Sequence, residues 1–98
     1  MRAREVRFAE EADDDLIRLF ELLAEKNAGA ARRALAAIRR GLTMAARFPH
    51  SCRKAEGSDF VRECVITFGR RGHVAAFEIG EDHILVLAVR HQREDDYH

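Results

Sequence analysis

The feature that most constrains the fold is an uninterrupted apolar run near the end of the sequence, ILVLAV, from Ile84 to Val89. A strand with one face in water alternates polar and apolar residues, whereas a continuous apolar strand is covered on both faces or lies inside a sheet. The run therefore predicts a strand from His83 to His91 that is covered on both faces or lies at the centre of a sheet.

Two amphipathic helices are predicted in the first half of the chain, over Ala9 to Lys26 and Ala30 to Phe48. In both segments apolar residues recur at spacings of three and four, which forms one stripe on a helix. Asn27–Gly29 is typical of a helix stop, and the only proline, Pro49, ends the second helix. A link this short between two such helices indicates an antiparallel helical hairpin.

Period-two alternation predicts three further strands, over Arg2–Phe8, Phe60–Phe68 and His73–Ile79. The intervening segment 49–59 has the composition of a loop. The expected order is β-α-α-β-β-β, with the helical hairpin packed on one face of a mostly antiparallel sheet. This is an α+β fold, and 98 residues suffice for a single domain, 1–98.

The charge balance narrows the possible partners. Seventeen basic residues offset 17 acidic ones, which argues against wholesale polyanion binding but not against a local basic patch. The first helix is mainly acidic and the second mainly basic, so the two could attract one another as antiparallel neighbours. Two helices whose charged faces are simply solvated would show the same pattern. No apolar run is long enough to span a membrane, and no signal peptide opens the sequence. We therefore expect a cytoplasmic protein.

The sequence predicts no metal site and no cofactor. His50, Cys52, Cys64 and His73 do not follow a compact Cys/His zinc spacing. Two cysteines are too few for a disulfide framework, so reduced thiols are expected. No glycine-rich phosphate loop and no nucleophile with an orienting base is evident.

The strongest candidate for a functional surface is the polar cluster that follows the apolar run, Arg90, His91, Arg93 and Tyr97. In an extended chain Arg90 points to one face while His91 and Arg93 point to the other. Guanidinium, imidazole and phenol groups suit an anionic ligand or metal-free proton transfer at a phosphodiester. The alternative is that a strand leaving the core simply becomes polar.

These residues carry a resemblance to a known family. The early FAEEADDDL, the FVRE that opens the second strand and the final AVRHQREDDY together resemble the RelE/ParE superfamily of bacterial toxins. The last of these is similar to the RH-x-x-E-x-x-Y ending of ParE-type members, and the resemblance covers essentially the whole chain. It implies a small cytoplasmic toxin without a cofactor, paired with an antitoxin in a hetero-oligomeric complex.

The resemblance leaves two targets. ParE-like members poison DNA gyrase, whereas RelE-like members cleave mRNA within the ribosome. RelE-like nucleases carry two basic residues on the second strand, and here the positions hold Arg62 and Cys64. They also carry an arginine early in the third strand, where this chain has Val74. Because metal-free cleavage needs several positive groups, the ParE-like reading is favoured.

The predicted sites follow from this interpretation. The gyrase-binding residues would be Arg90, His91, Arg93 and Tyr97, with Arg62 nearby. In the nuclease alternative, Arg62, His91, Arg93 and Tyr97 would be catalytic; a third possibility is an inactive member that only binds antitoxin. An amphipathic antitoxin helix would lie in a shallow groove between the helices, formed by Leu16, Leu19, Leu23, Ala31 and Ala34.

Overall fold

A computed structural model gives the positions of residues 4–68 and 71–91. Within these ranges two helices and five strands follow one another, and a single 3-10 turn, Pro49–Ser51, comes after the second helix. In chain order they are β1 Glu5–Phe8, α1 Glu10–Lys26, α2 Ala28–Arg47, β2 Arg53–Lys54, β3 Val61–Phe68, β4 Arg71–Ile79 and β5 His83–His91.

The strands form one sheet in the order β1-β5-β4-β3-β2. β1 runs parallel to β5, and the other three pairings are antiparallel. The apolar strand β5 lies between β1 and β4, so it is an internal strand of the sheet, next to the central strand β4. Ala76 pairs with Ala88 and Phe77 with Val86, which leaves Leu87 as an extra residue at a bulge.

Both helices pack on one face of this sheet, and the predicted α+β fold class is confirmed. The core joins Ile38 and Leu42 of α2 to Phe77 of β4 and to Ile84 and Val86 of β5. The buried side of α2 is otherwise made of alanines, which lets this helix approach its neighbours closely.

The link between the helices is shorter than the sequence predicts. Asn27 alone separates α1 from α2, and its side-chain oxygen accepts a hydrogen bond from the amide of Ala30 at 3.0 Å. This N-cap satisfies one of the free amides at the start of α2. As a result, Ala28 and Gly29 belong to the helix rather than to a loop.

The predicted loop 49–59 contains a short edge strand that the sequence analysis missed. Arg53 and Lys54 pair with Glu63 and Arg62 of β3. The turn between the two strands includes Gly57, whose φ of +79° is a conformation that favours glycine.

Among the described residues, neither helix is long and apolar enough to cross a membrane.

Candidate functional site

Arg90 lies near the end of β5 on the sheet face that points away from the helices. Its neighbour Val89 is buried in the core, so alternation directs Arg90 outward. Across β4 it is paired with Val74, which is in turn paired with Val65 of β3. Val74 is buried while Val65 is 42% exposed. Within residues 4–68 and 71–91, no ion pair engages the Arg90 guanidinium.

His91 follows on the opposite face, where it meets a second histidine. The rings of His91 and His73 stand edge to face, with 5.3 Å between centroids and 87° between planes. The two residues are cross-strand partners, and His73 is only 2% exposed. Edge-to-face packing suits the charge distribution of aromatic rings. Arg90 and His91 therefore project from opposite faces of the sheet, as the alternation predicted.

Two members of the predicted cluster, Arg93 and Tyr97, lie outside the described residues. Their proposed roles in target binding or catalysis therefore stay predictions.

Arg62 is not adjacent to the end of β5. It pairs with Phe77, which pairs with Val86, so Arg62 stands level with Val86, four residues before Arg90. Four residues along a strand are about 13 Å, and two strand spacings add about 10 Å sideways. The expected proximity of Arg62 to Arg90 is therefore wrong for this fold.

The guanidinium of Arg62 instead holds the segment that precedes β2. Its Nη1 donates hydrogen bonds to the carbonyl oxygens of His50, at 3.1 Å, and Cys52, at 2.7 Å. Charge-assisted bonds to backbone carbonyls of a loop are structural contacts. In this conformation the Nη1 atom of Arg62 is engaged by the protein itself.

A groove opens between β1, α1 and α2. It encloses a cavity of about 260 Å³. Apolar side chains form most of its wall, and Arg39 and Thr43 of α2 lie at its rim. The lining residues are Val6, Phe8, Leu16, Leu35, Ile38, Arg39, Leu42 and Thr43.

Only part of the predicted antitoxin groove is accessible. Leu16 lines the observed cavity, Leu19 packs against the core and Leu23 is half-buried. Ala31 and Ala34 are 0% exposed. A partner could touch these two alanines only if the helices moved apart. The accessible groove instead lies toward β1 and the middle of α2, a location that depends on the packing of β1 and was not predicted.

A basic surface borders this groove. Helix α2 contains no acidic residue. Its exposed arginines recur at intervals of seven, which places them two turns apart in rows along the helix. They are Arg32, Arg33, Arg39, Arg40 and Arg47.

The thiols of Cys52 and Cys64 have altered acidities. Burial raises the pKa of the Cys52 thiol, although its hydrogen bond with Cys64 and the charge of Arg62 oppose the shift. Burial and the neighbouring Cys52 raise the pKa of Cys64 to about 11. In the part of the chain that the structure describes, no three metal-ligating side chains cluster.

Comparison with known proteins places the chain in a family. Residues 6–96 match the model of the ParE toxin of type II toxin-antitoxin system, parDE. No curated protein is significantly similar in sequence.

Among solved structures, one that is similar to this chain has the same fold, and another is less similar. A chain of the chromosomal ParDE TA system from P. aeruginosa has a TM-score of 0.72 at 15% identity, over 91% of this chain and 96% of that one. A chain of the archaeal RelE-RelB complex from Pyrococcus horikoshii OT3 has a TM-score of 0.49 at 16% identity, over 93% and 97%. Since the family model spans nearly the whole sequence, the chain belongs to the ParE toxin family of type II toxin–antitoxin systems.

Proposed function

We propose that the protein is a toxin that inhibits DNA gyrase in the cytoplasm and is neutralised by a cognate antitoxin. The observation that carries this proposal is the match of residues 6–96 to the ParE toxin family. This match covers both helices and all of the sheet except the first residue of β1, so it concerns the domain as a unit rather than a short motif.

The positions that a RelE-like nuclease would use supply little free positive charge. The Nη1 atom of Arg62 is bound to two backbone carbonyls. The second β3 position is the partly buried Cys64, whose pKa near 11 keeps it a neutral thiol at physiological pH. The β4 position is Val74, which is 1% exposed. A phosphodiester transition state needs preorganised cations, so these positions favour gyrase over the ribosome as the target.

The gyrase-binding surface would begin at Arg90. This arginine has no ion-pair partner in the described part of the chain, and the exposed Val65 lies two strands away on the same face. An arginine beside an apolar surface is a common energetic centre of protein interfaces. Arg93 and Tyr97, three and seven residues further along the chain, would extend the surface; His91 would support it through its packing on His73.

The antitoxin would bind at the groove between β1, α1 and α2. A cavity of about 260 Å³ can accept a few apolar side chains of an amphipathic segment. The arginines of α2, beginning with Arg39 at the rim, would face acidic residues on the other side of that segment. Leu16 would contact the antitoxin as predicted, while Leu19 and Leu23 would contribute at the margin.

A pair of assays with purified protein tests the target. The protein is added to gyrase with relaxed plasmid and, at the same concentrations, to a cell-free translation extract. We expect supercoiling to stop while translation and the mRNA stay intact. Codon-phased cuts in the mRNA with normal supercoiling would establish the nuclease alternative. No effect in either assay, with antitoxin binding retained, would identify an inactive family member.

A further inference from the structure

Two cysteines face each other across neighbouring strands at the edge of the sheet. The register of β2 and β3 pairs Arg53 with Glu63 and Lys54 with Arg62. One step further along the same register places Cys52 opposite Cys64. The backbone of Cys52 is extended, with φ −80° and ψ 149°, so it continues the direction of β2.

The hydrogen-bond pattern defines the geometry of this pair. The amide of Ala55 donates to the carbonyl of Val61 at 2.8 Å, which marks a hydrogen-bonded position of the ladder. Hydrogen-bonded and non-hydrogen-bonded pairs alternate along antiparallel strands. The pair Cys52–Cys64 lies three residues from the pair Ala55–Val61 and therefore occupies a non-hydrogen-bonded position. Cα atoms there are about 4.5 Å apart, and disulfides span about 4.4–6.8 Å. A bond can therefore form without moving the strands apart.

The surroundings hold both thiols in place. Cys52 and Cys64 are close enough for each thiol to influence the pKa of the other, and both pack against the same apolar core. The Cys64 thiol also lies 3.7 Å from the carbonyl oxygen of Gly41. Arg62, two residues before Cys64 on β3, donates a hydrogen bond to the backbone carbonyl of Cys52. The backbone of Cys52 and the thiol of Cys64 are thus each held by a hydrogen bond.

We propose that Cys52 and Cys64 form a reversible cross-strand disulfide when the protein meets a low-molecular-weight disulfide of the glutathione class. The Cys52 thiolate attacks one sulfur of the oxidant, forms a mixed disulfide and releases one thiolate. The Cys64 thiolate then attacks the Cys52 sulfur and displaces the second thiolate of the oxidant, which completes the internal disulfide. In total the protein loses two protons and two electrons, and the oxidant becomes two thiols.

The acidities of the two thiols set the order and the rate of these steps. Only a thiolate attacks a disulfide. Cys52 attacks first because Cys64 and Arg62 both counteract the rise of its pKa, whereas the pKa of Cys64 is about 11. Exchange is therefore slow at neutral pH and accelerates as the pH rises. The site responds to sustained exposure to oxidant rather than to a brief pulse.

The disulfide would covalently link β3 to the residue that directly precedes the two-residue edge strand β2. It would close a loop from residue 52 to residue 64, which contains the turn at Gly57. Such a crosslink reduces the conformational freedom of the unfolded chain and raises the melting temperature, here by about 5 °C or more. This inference goes beyond gyrase inhibition and antitoxin binding, because neither proposal uses these thiols.

Incubation with oxidised glutathione at about pH 8.5, followed by intact-mass analysis and thiol titration, tests the proposal. The native protein should lose two hydrogen atoms in mass, show no free thiol and recover both with dithiothreitol. Its melting temperature should rise on oxidation. Cys64→Ser should stop at a glutathione adduct on Cys52, while Cys52→Ser should react much more slowly.

Three results would overturn the proposal. The first is a native protein that keeps both thiols free while a small dithiol control is fully oxidised. The second is a stable glutathione adduct on the native protein without an internal disulfide. The third is oxidation that yields only disulfide-linked dimers. If Cys52→Ser reacts as fast as Cys64→Ser, the proposed order of attack is wrong.

Discussion

The carboxylate of Asp15 on α1 accepts a hydrogen bond from the backbone amide of Val89 on β5, with 3.0 Å between Oδ2 and N. Pairing of β1 with β5 ends at Phe8 and Val86, so this part of β5 has β4 on one side and no strand on the other. The side chain of Asp15 therefore accepts the hydrogen bond that the backbone carbonyl of a neighbouring strand would otherwise accept from this amide. The other oxygen of Asp15 pairs with Arg18.

Asp15→Ala should lower the free energy of unfolding by about 1–3 kcal/mol, because a partly buried amide loses a charged acceptor. Urea denaturation followed by circular dichroism measures the change. Asp14→Ala is the matched control: Asp14 is an exposed aspartate of the same helix, and its removal should cost less than about 0.5 kcal/mol. Equal effects of the two substitutions would show that the contact with Val89 does not stabilise the fold.

At Gly41, α2 packs tightly against Ile66 of β3. A Cβ atom at this position would lie 2.6 Å from Cγ1 and 2.9 Å from Cδ1 of Ile66. Alanine favours helices over glycine by about 1 kcal/mol, but overpacking typically costs about 1–3 kcal/mol. We therefore expect Gly41→Ala to destabilise the protein in urea denaturation.

An Ile66→Ala background provides the control for this clash. Removing the side chain of Ile66 makes room for the new methyl group, so Gly41→Ala should then be neutral or stabilising. If the destabilisation is the same in both backgrounds, contact with Ile66 is not its cause.

Thr43 offers a test of the antitoxin groove, since it is exposed at the rim of the cavity. Thr43→Arg places a long charged side chain across the groove and should weaken binding of the cognate antitoxin at least about tenfold, or 1.4 kcal/mol. Isothermal titration calorimetry provides the affinity. Thr43→Ser keeps the groove open and should bind normally. Unchanged affinity of Thr43→Arg would place the antitoxin elsewhere on the toxin.

The raised pKa of Cys64 makes stability dependent on alkaline pH. The pKa of the Cys64 thiol is about 11 in the folded protein, whereas the ordinary value for a cysteine, which applies to the unfolded chain, is 9.0. Between these values the unfolded chain releases the proton while the folded protein keeps it. The contribution of this thiol to the free energy of unfolding is therefore fully present below about pH 9 and is lost as the pH rises toward 11.

Urea denaturation at about pH 8 and about pH 10 measures this dependence. The native protein should lose more stability between the two values than Cys64→Ser, which has no thiol to titrate at this position. Equal losses in the two proteins would contradict the assigned pKa shift.

Elements with a strong local pattern could be predicted from the sequence. The bounds of β5 were correct because continuous apolar residues end sharply at polar ones, and both helices were located by their apolar stripes. The strand β2 was missed because two exposed basic residues carry no strand pattern. Its pairing with β3 depends on residues eight and ten positions away and on the bonds of Arg62 to the loop.

The candidate site was harder to predict because it depends on the order of the strands. The sequence indicated that Arg90 and His91 point to opposite faces, but not that β4 separates β5 from Arg62. The burial of His73 against His91 and the contact of Asp15 with Val89 join residues far apart in the chain. Local periodicity carries no information on such contacts.

Inhibition of gyrase supercoiling by the native protein and its Arg90→Ala variant tests the central claim most directly. The native protein should inhibit supercoiling, and Arg90→Ala should need at least about tenfold more protein for the same effect, since a central interface arginine that acts as a hot spot contributes about 2 kcal/mol or more. Arg40→Ala, which removes an exposed arginine from α2, should inhibit as strongly as the native protein. Full potency of Arg90→Ala, or absence of inhibition by the native protein, would contradict the account.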